Sequence, residues 1–131
     1  MARKPPSIDL DEPRHWHVTL TLAGADVPEE DIRESLEKLS EQHAFLLSAR
    51  YATDAAEVRY WDEDEDLHGA AKRALSLWSD YADLASLPPW EVIGLEVVDR
   101  ATHQARTHRL LRSRRTRGLE SVGGGGLVRP F

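Results

Sequence analysis

The stretch His15 to Gly24, HWHVTLTLAG, constrains the chain more than any other. Trp16, Val18, Leu20 and Leu22 alternate with His15, His17, Thr19 and Thr21. A period of two is the signature of a strand with one buried and one polar face. A fold built around it must bring apolar cover to one side of the sheet and leave the other to water or to a partner.

The flanking segments can supply that cover. After a turn at Gly24 and Ala25, Asp26 and Glu29 fit a capping box, with Pro28 tolerated in the first turn and Glu29, Glu30 and Asp31 at the positive helix end. Ile32, Leu36 and Leu39, with His43 beyond them, then recur at helical spacing, which predicts an amphipathic helix over 28–42. Residues 44–62 read as two strands joined near Thr53 and Asp54. In the second, Val58 and Tyr60 share one face, and Glu57, Arg59 and Trp61 share the other. The acidic run Asp62 to Asp66 opens a longer helix striped by Leu67, Ala70, Ala71, Ala74, Leu77, Trp78, Tyr81 and Leu84, which Pro88 and Pro89 end. A last strand starts at Trp90 and is broken by Gly94.

This order, βαββαβ, predicts an α+β domain of the ferredoxin-like split βαβ plan: a four-stranded antiparallel sheet with two helices on one face and the first and third strands in the middle. Residues 1–13, rich in proline, read as a flexible N-terminal arm, 14–102 as the domain, and 103–131 as a basic, Gly-rich C-terminal tail. The run Gly123 to Gly126 is linker-like.

Charge divides the chain in the same way. Residues 1–99 hold 9 basic and 22 acidic residues, whereas 100–131 hold 8 and 1. Arginine outnumbers lysine 14 to 3, a bias that suits bidentate contact with phosphate or carboxylate and equally follows from a GC-rich genome. Cysteine is absent, which excludes disulfides, thiolate nucleophiles and cysteine-based metal sites. The basic start at Arg3 and Lys4 leads into prolines and acids, unlike a signal peptide, and no stretch has the length a membrane helix needs, so a cytoplasmic protein with no membrane partner is expected.

Chemistry is sparsely marked. His15 and His17 can project from one side of a strand as a metal pair does, but no further ligand motif accompanies them, and a solvated polar face is the favoured reading. The acids at 62, 64 and 66 lack the glycine and glutamate of an EF-hand, having Leu67 and Arg73 instead, and the helix dipole explains them. No serine sits in a nucleophile elbow and no glycine-rich loop cradles phosphate. No cofactor is expected.

Two surfaces remain. Trp61, with Arg59 and Val98, marks the uncovered sheet face as an interface, although Trp61 can also fold over the end of the sheet. Arg106, Arg109, Arg112, Arg114, Arg115 and Arg117 form a candidate polyanion-binding segment, in which Arg100 precedes them and His103 and His108 are interleaved; its alternative is a solvated tail folded onto the acidic domain. The leading expectation is a non-enzymatic binding or assembly module: a homodimer or partner complex through the sheet, and an acidic protein or RNA at the tail. At the level of topology the chain also resembles small dimeric αβ-barrel proteins, which implies an enzyme or a small-ligand-binding protein as the alternative. Nucleic-acid binding by the sheet itself is disfavoured, because AEVRYW lacks the glycine-aromatic pattern of RRM domains and the body is acidic.

Overall fold

The computed structural model describes the backbone of residues 14–117 and 127–131, and the side chains of 14–111 and 127–131. The N-terminal arm, the glycine run and the side chains of Arg112, Arg114, Arg115 and Arg117 lie outside the described residues.

Strand β1 (Arg14–Ala23) runs through the sheet and pairs antiparallel with β3 (Ala55–Asp64) on one side and β4 (Glu91–Asp99) on the other. Strand β2 (Leu46–Ala52) forms a hairpin with β3 through the turn at Thr53 and Asp54. A short β5 (Val128–Pro130) then adds to the free edge of β2 in parallel, giving the order β4-β1-β3-β2-β5. The Ala49 N–H donates to the Leu127 carbonyl at 2.8 Å and the Phe131 N–H to the Tyr51 carbonyl at 3.0 Å.

The expected architecture is therefore corrected: among the described residues the sheet is five-stranded and mixed, and it carries four helices, not two on a four-stranded antiparallel sheet. The physical reasons are local. β5 is too short to show a period, and its pairing spans most of the chain. The long second helix divides at Tyr81 into α2 (Leu67–Asp80) and the single turn α3 (Ala82–Ala85). α4 (Arg100–Arg117) has no apolar stripe from which a sequence reading takes a helix.

Helix α1 (Glu29–Gln42) and α2 cover one face of the sheet, where Val18, Leu20, Leu22, Ile32, Leu36, Leu39, Val58 and Leu77 are buried. The expected capping box does not form. Helix α1 begins after Pro28 without a side-chain cap, and the Asp26 carboxylate instead accepts from the Thr53 hydroxyl at 2.8 Å. The acidic run is split between two roles: Asp62 and Asp64 end β3, while Asp66 caps α2 by accepting from the Gly69 N–H at 2.8 Å. Trp90 closes the far end, stacked 3° from parallel on Trp78 and donating its indole N–H to the Ala25 carbonyl. Gly24 is required there, since a Cβ would stand 2.2 Å from the Trp90 ring.

Candidate functional site

The second face of the sheet carries the side chains that alternate with the core: His15, His17, Thr19 and Thr21 of β1, Glu57, Arg59, Trp61 and Glu63 of β3, and Glu96 and Val98 of β4. It is not left open along its whole length. Helix α4 starts without a loop at the end of β4, because the Asp99 carboxylate caps it by accepting from the Thr102 N–H at 2.8 Å. The bonds to Thr102, with help from Arg14 at 3.3 Å, hold the Asp99 carboxyl below its ordinary pKa.

That start places His103 over β1. Its imidazole stacks on His17 with ring centres 3.9 Å apart and planes 13° from parallel, and Trp61 meets both rings edge-on, at 5.4 Å from His17 and 5.1 Å from His103. His17, expected on a solvated face, is only 5% exposed. Burial, and then the neighbouring His103 and Arg59, depress the His17 pKa to about 4 against the smaller opposing pull of Glu96. Burial lowers His103 as well, with Arg59 and Arg106 acting in the same direction. Both rings are accordingly neutral near pH 7, and neutral rings can stack without charge repulsion.

Beyond this contact α4 leaves the sheet. Arg106 reaches back to Glu96 at 3.2 Å, but from Gln104 to Leu111 every residue is exposed, including Leu110 and Leu111 at 54% and 52%. Arg100 and Arg109 make no ion pair among the described residues. Beside the first turn lies a cleft of about 310 Å³, lined by Trp61 and Phe45, with His15, Arg100 and Gln104 completing it. Phe45 is 59% exposed.

The structure thus treats the expected site residues differently. Trp61 lies against the histidine pair and also lines the cleft. Arg59 is engaged by Glu57 on its own strand at 3.3 Å, and half-buried Val98 lies opposite His17 in the register. His15 and His17 do not converge: His15 faces Glu63 at 3.5 Å while His17 is stacked on His103. No group of three or more potential ligands gathers for a metal among the described residues. Phe45, Gln104, the place of Arg100 in the cleft and the pairing role of His103 were not marked by the sequence. The one signal that could have found them is the abrupt change from strand to arginine-rich sequence at Arg100, with His103 three residues on.

An α+β domain with one helix-packed sheet face and a second face gripped by a single basic helix is the class these features define. The chain belongs to the family described as Domain of unknown function (DUF8830), whose model matches residues 15–114 and so includes most of α4. No curated protein matches the sequence. No helix among the described residues is long and apolar enough to cross a membrane.

Proposed function

We propose that the chain is a non-enzymatic binding module in which α4 and the adjoining cleft form one surface for an acidic protein partner. One observation carries this reading: α4 is anchored through its first turn and exposed around its whole circumference from Gln104 to Leu111. A helix with no buried apolar stripe beyond its first turn gains little from packing on its own chain. Its chemistry selects a protein over RNA, since Leu110 and Leu111 among the arginines suit a groove with acidic rims, whereas a phosphate backbone has no use for them. The carboxylates of Glu57, Glu63 and Glu96 on the same face also repel phosphate.

The test is fluorescence anisotropy with a labelled amphipathic acidic peptide and with oligouridine RNA, each at two salt concentrations. The peptide is expected to bind, with Arg109→Gln and Leu110→Ser each weakening it about fivefold, equivalent to roughly 1 kcal/mol. RNA that binds more tightly than the peptide, with a steep salt slope and no sensitivity to Leu110, contradicts the reading.

A second reading is homodimerisation on the same face, supported by exposed Phe45 beside Trp61. Sedimentation at about 100 μM detects even weak association of roughly 5 kcal/mol, and Trp61→Ala is expected to lower it. A wild-type monomer at that concentration ends this reading. The enzyme alternative has less support, because the cleft residues His15, Phe45, Trp61, Arg100 and Gln104 include no nucleophile beside a base.

A further inference from the structure

The cleft beside the first turn of α4 is assembled by distant parts of the chain. The Trp61 N–H donates to the Phe45 carbonyl at 3.1 Å, which ties the residue entering β2 to β3 and sets the two aromatic side chains at one cleft. Arg100 and Gln104, one turn apart on α4, complete the lining together with His15 of β1, which lies 3.5 Å from Glu63.

The donors at this cleft are unspent. Of the four tryptophans, Trp16, Trp78 and Trp90 each donate the indole N–H to a backbone carbonyl, at 3.1, 2.7 and 2.8 Å. The Trp61 indole N–H has no acceptor among the described residues, and it is not sealed from solvent, so a ligand can reach it. Arg100 likewise has no carboxylate partner among the described residues. The acids nearest in the chain and in the sheet register are committed elsewhere: Asp99 to the Thr102 N–H and to Arg14, and Glu63 to His15. A guanidinium and an indole N–H thus stand beside two aromatic rings with nothing to receive them. The faces of those rings are partially negative and repel a carboxylate, which leaves Arg100 and the indole edge as its place and the faces for an apolar group.

We infer that this cleft seats an aromatic side chain of the acidic partner, packed against Phe45 and Trp61, with the carboxylate next to it held by Arg100 and the Trp61 indole N–H. The inference rests on the reading above and names the group that anchors the partner. The cleft volume equals that of about ten water molecules, room for a phenyl ring and one carboxylate and too little for a helix. Phe45, 59% exposed in the free chain, is covered by such a ring, and aromatic anchors in pockets carry much of the energy of an interface. Arg100 can grip a carboxylate through two N–H groups at once, which fixes the acid relative to the ring. Trp61 also meets His17 and His103 edge-on, so the anchor bears on the contact that holds α4 to the sheet.

Phenylacetate is a minimal mimic of the anchor, and phenethylamine carries the same ring with the opposite charge. In an amide and indole NMR titration of the full chain at matched ionic strength, saturable shifts at Phe45, Trp61, Arg100 and Gln104 are expected with phenylacetate and none with phenethylamine. Arg100→Gln and Phe45→Ala, both at exposed positions, are each expected to weaken phenylacetate about fivefold. In fluorescence anisotropy, an acidic peptide with a phenylalanine beside an aspartate is expected to bind about tenfold more tightly than the same peptide with alanine there, a gain that Phe45→Ala removes. Linear shifts up to about 50 mM, equal binding of phenethylamine, or wild-type affinity in Arg100→Gln each overturn the inference. Shifts at Phe45 that follow protein concentration alone assign the cleft to a second copy and also overturn it. The two peptides bound alike, with sensitivity to Leu110→Ser retained, overturn it and leave the helix reading standing, whereas binding of neither peptide ends the helix reading and the inference with it.

Discussion

The two faces of the sheet begin from the same alternation and end in opposite conditions. On one, Val18, Leu20, Leu22 and Val58 are sealed by α1 and α2 and belong to a single buried cluster. On the other, Thr19, Thr21, Glu57 and Arg59 stay partly exposed, and among the described residues the helix that reaches this face, α4, does so through the stack of two neutral imidazoles and the Arg106–Glu96 pair. The difference separates the sources of stability from the sources of specificity: hydrophobic burial is concentrated on the first face, and the unpartnered side chains of α4 and its cleft on the second.

Substitutions can break this comparison, beginning where the effect is largest. Leu20→Ala, at the centre of the sealed face, is expected to lose about 2 to 5 kcal/mol in denaturant unfolding. Gly24→Ala drives a methyl group into the Trp90 ring, with an expected loss of about 1 to 3 kcal/mol that Trp90→Leu in the same chain partly relieves. On the second face, Thr19→Ala is expected to change unfolding by less than about 1 kcal/mol. A cost at Thr19 equal to that at Leu20 contradicts the division between the faces.

Between these in size lies a pH effect led by the second face, to which the half-buried His43 of the helix-covered side, its pKa also lowered by burial, adds in the same direction. His17 titrates near 4 in the folded chain and near 6.5 when unfolded, so the unfolded state takes up the proton first. The stability contributed by the neutral ring is complete above about pH 6.5 and is lost as the pH falls towards 4. From pH 7.5 to 5.5 the expected loss is about 1 kcal/mol, to which His103 adds in the same direction. Its groups at the stack are Arg59, Arg106 and Glu96, and His17→Gln is expected to flatten the dependence in this window. An unchanged slope in that variant assigns the loss elsewhere.

The sealed face was legible in the sequence because its signals are local. Period two in β1 and β3 and helical spacing in Ile32, Leu36 and Leu39 point to side chains that are indeed buried. The second face was not legible, for reasons of distance and of chemistry. His17 and His103 are 86 positions apart, and nothing in either neighbourhood marks them as a stacked pair. Helix α4 lacks the apolar stripe by which helices are read, since it begins from a cap at the end of a strand and not from a hydrophobic face. The three residues of β5 carry no period.

The central claim, that α4 is held at its first turn and presents the rest for a partner, is tested most directly by amide hydrogen exchange along the helix in the free chain and with the acidic peptide bound. The account predicts measurable protection at His103 to Arg106 and little from Thr107 to Leu111 in the free chain, with protection of the second segment rising when the peptide binds. Protection of Thr107 to Leu111 in the free chain equal to that of α1, unchanged by the peptide, contradicts it.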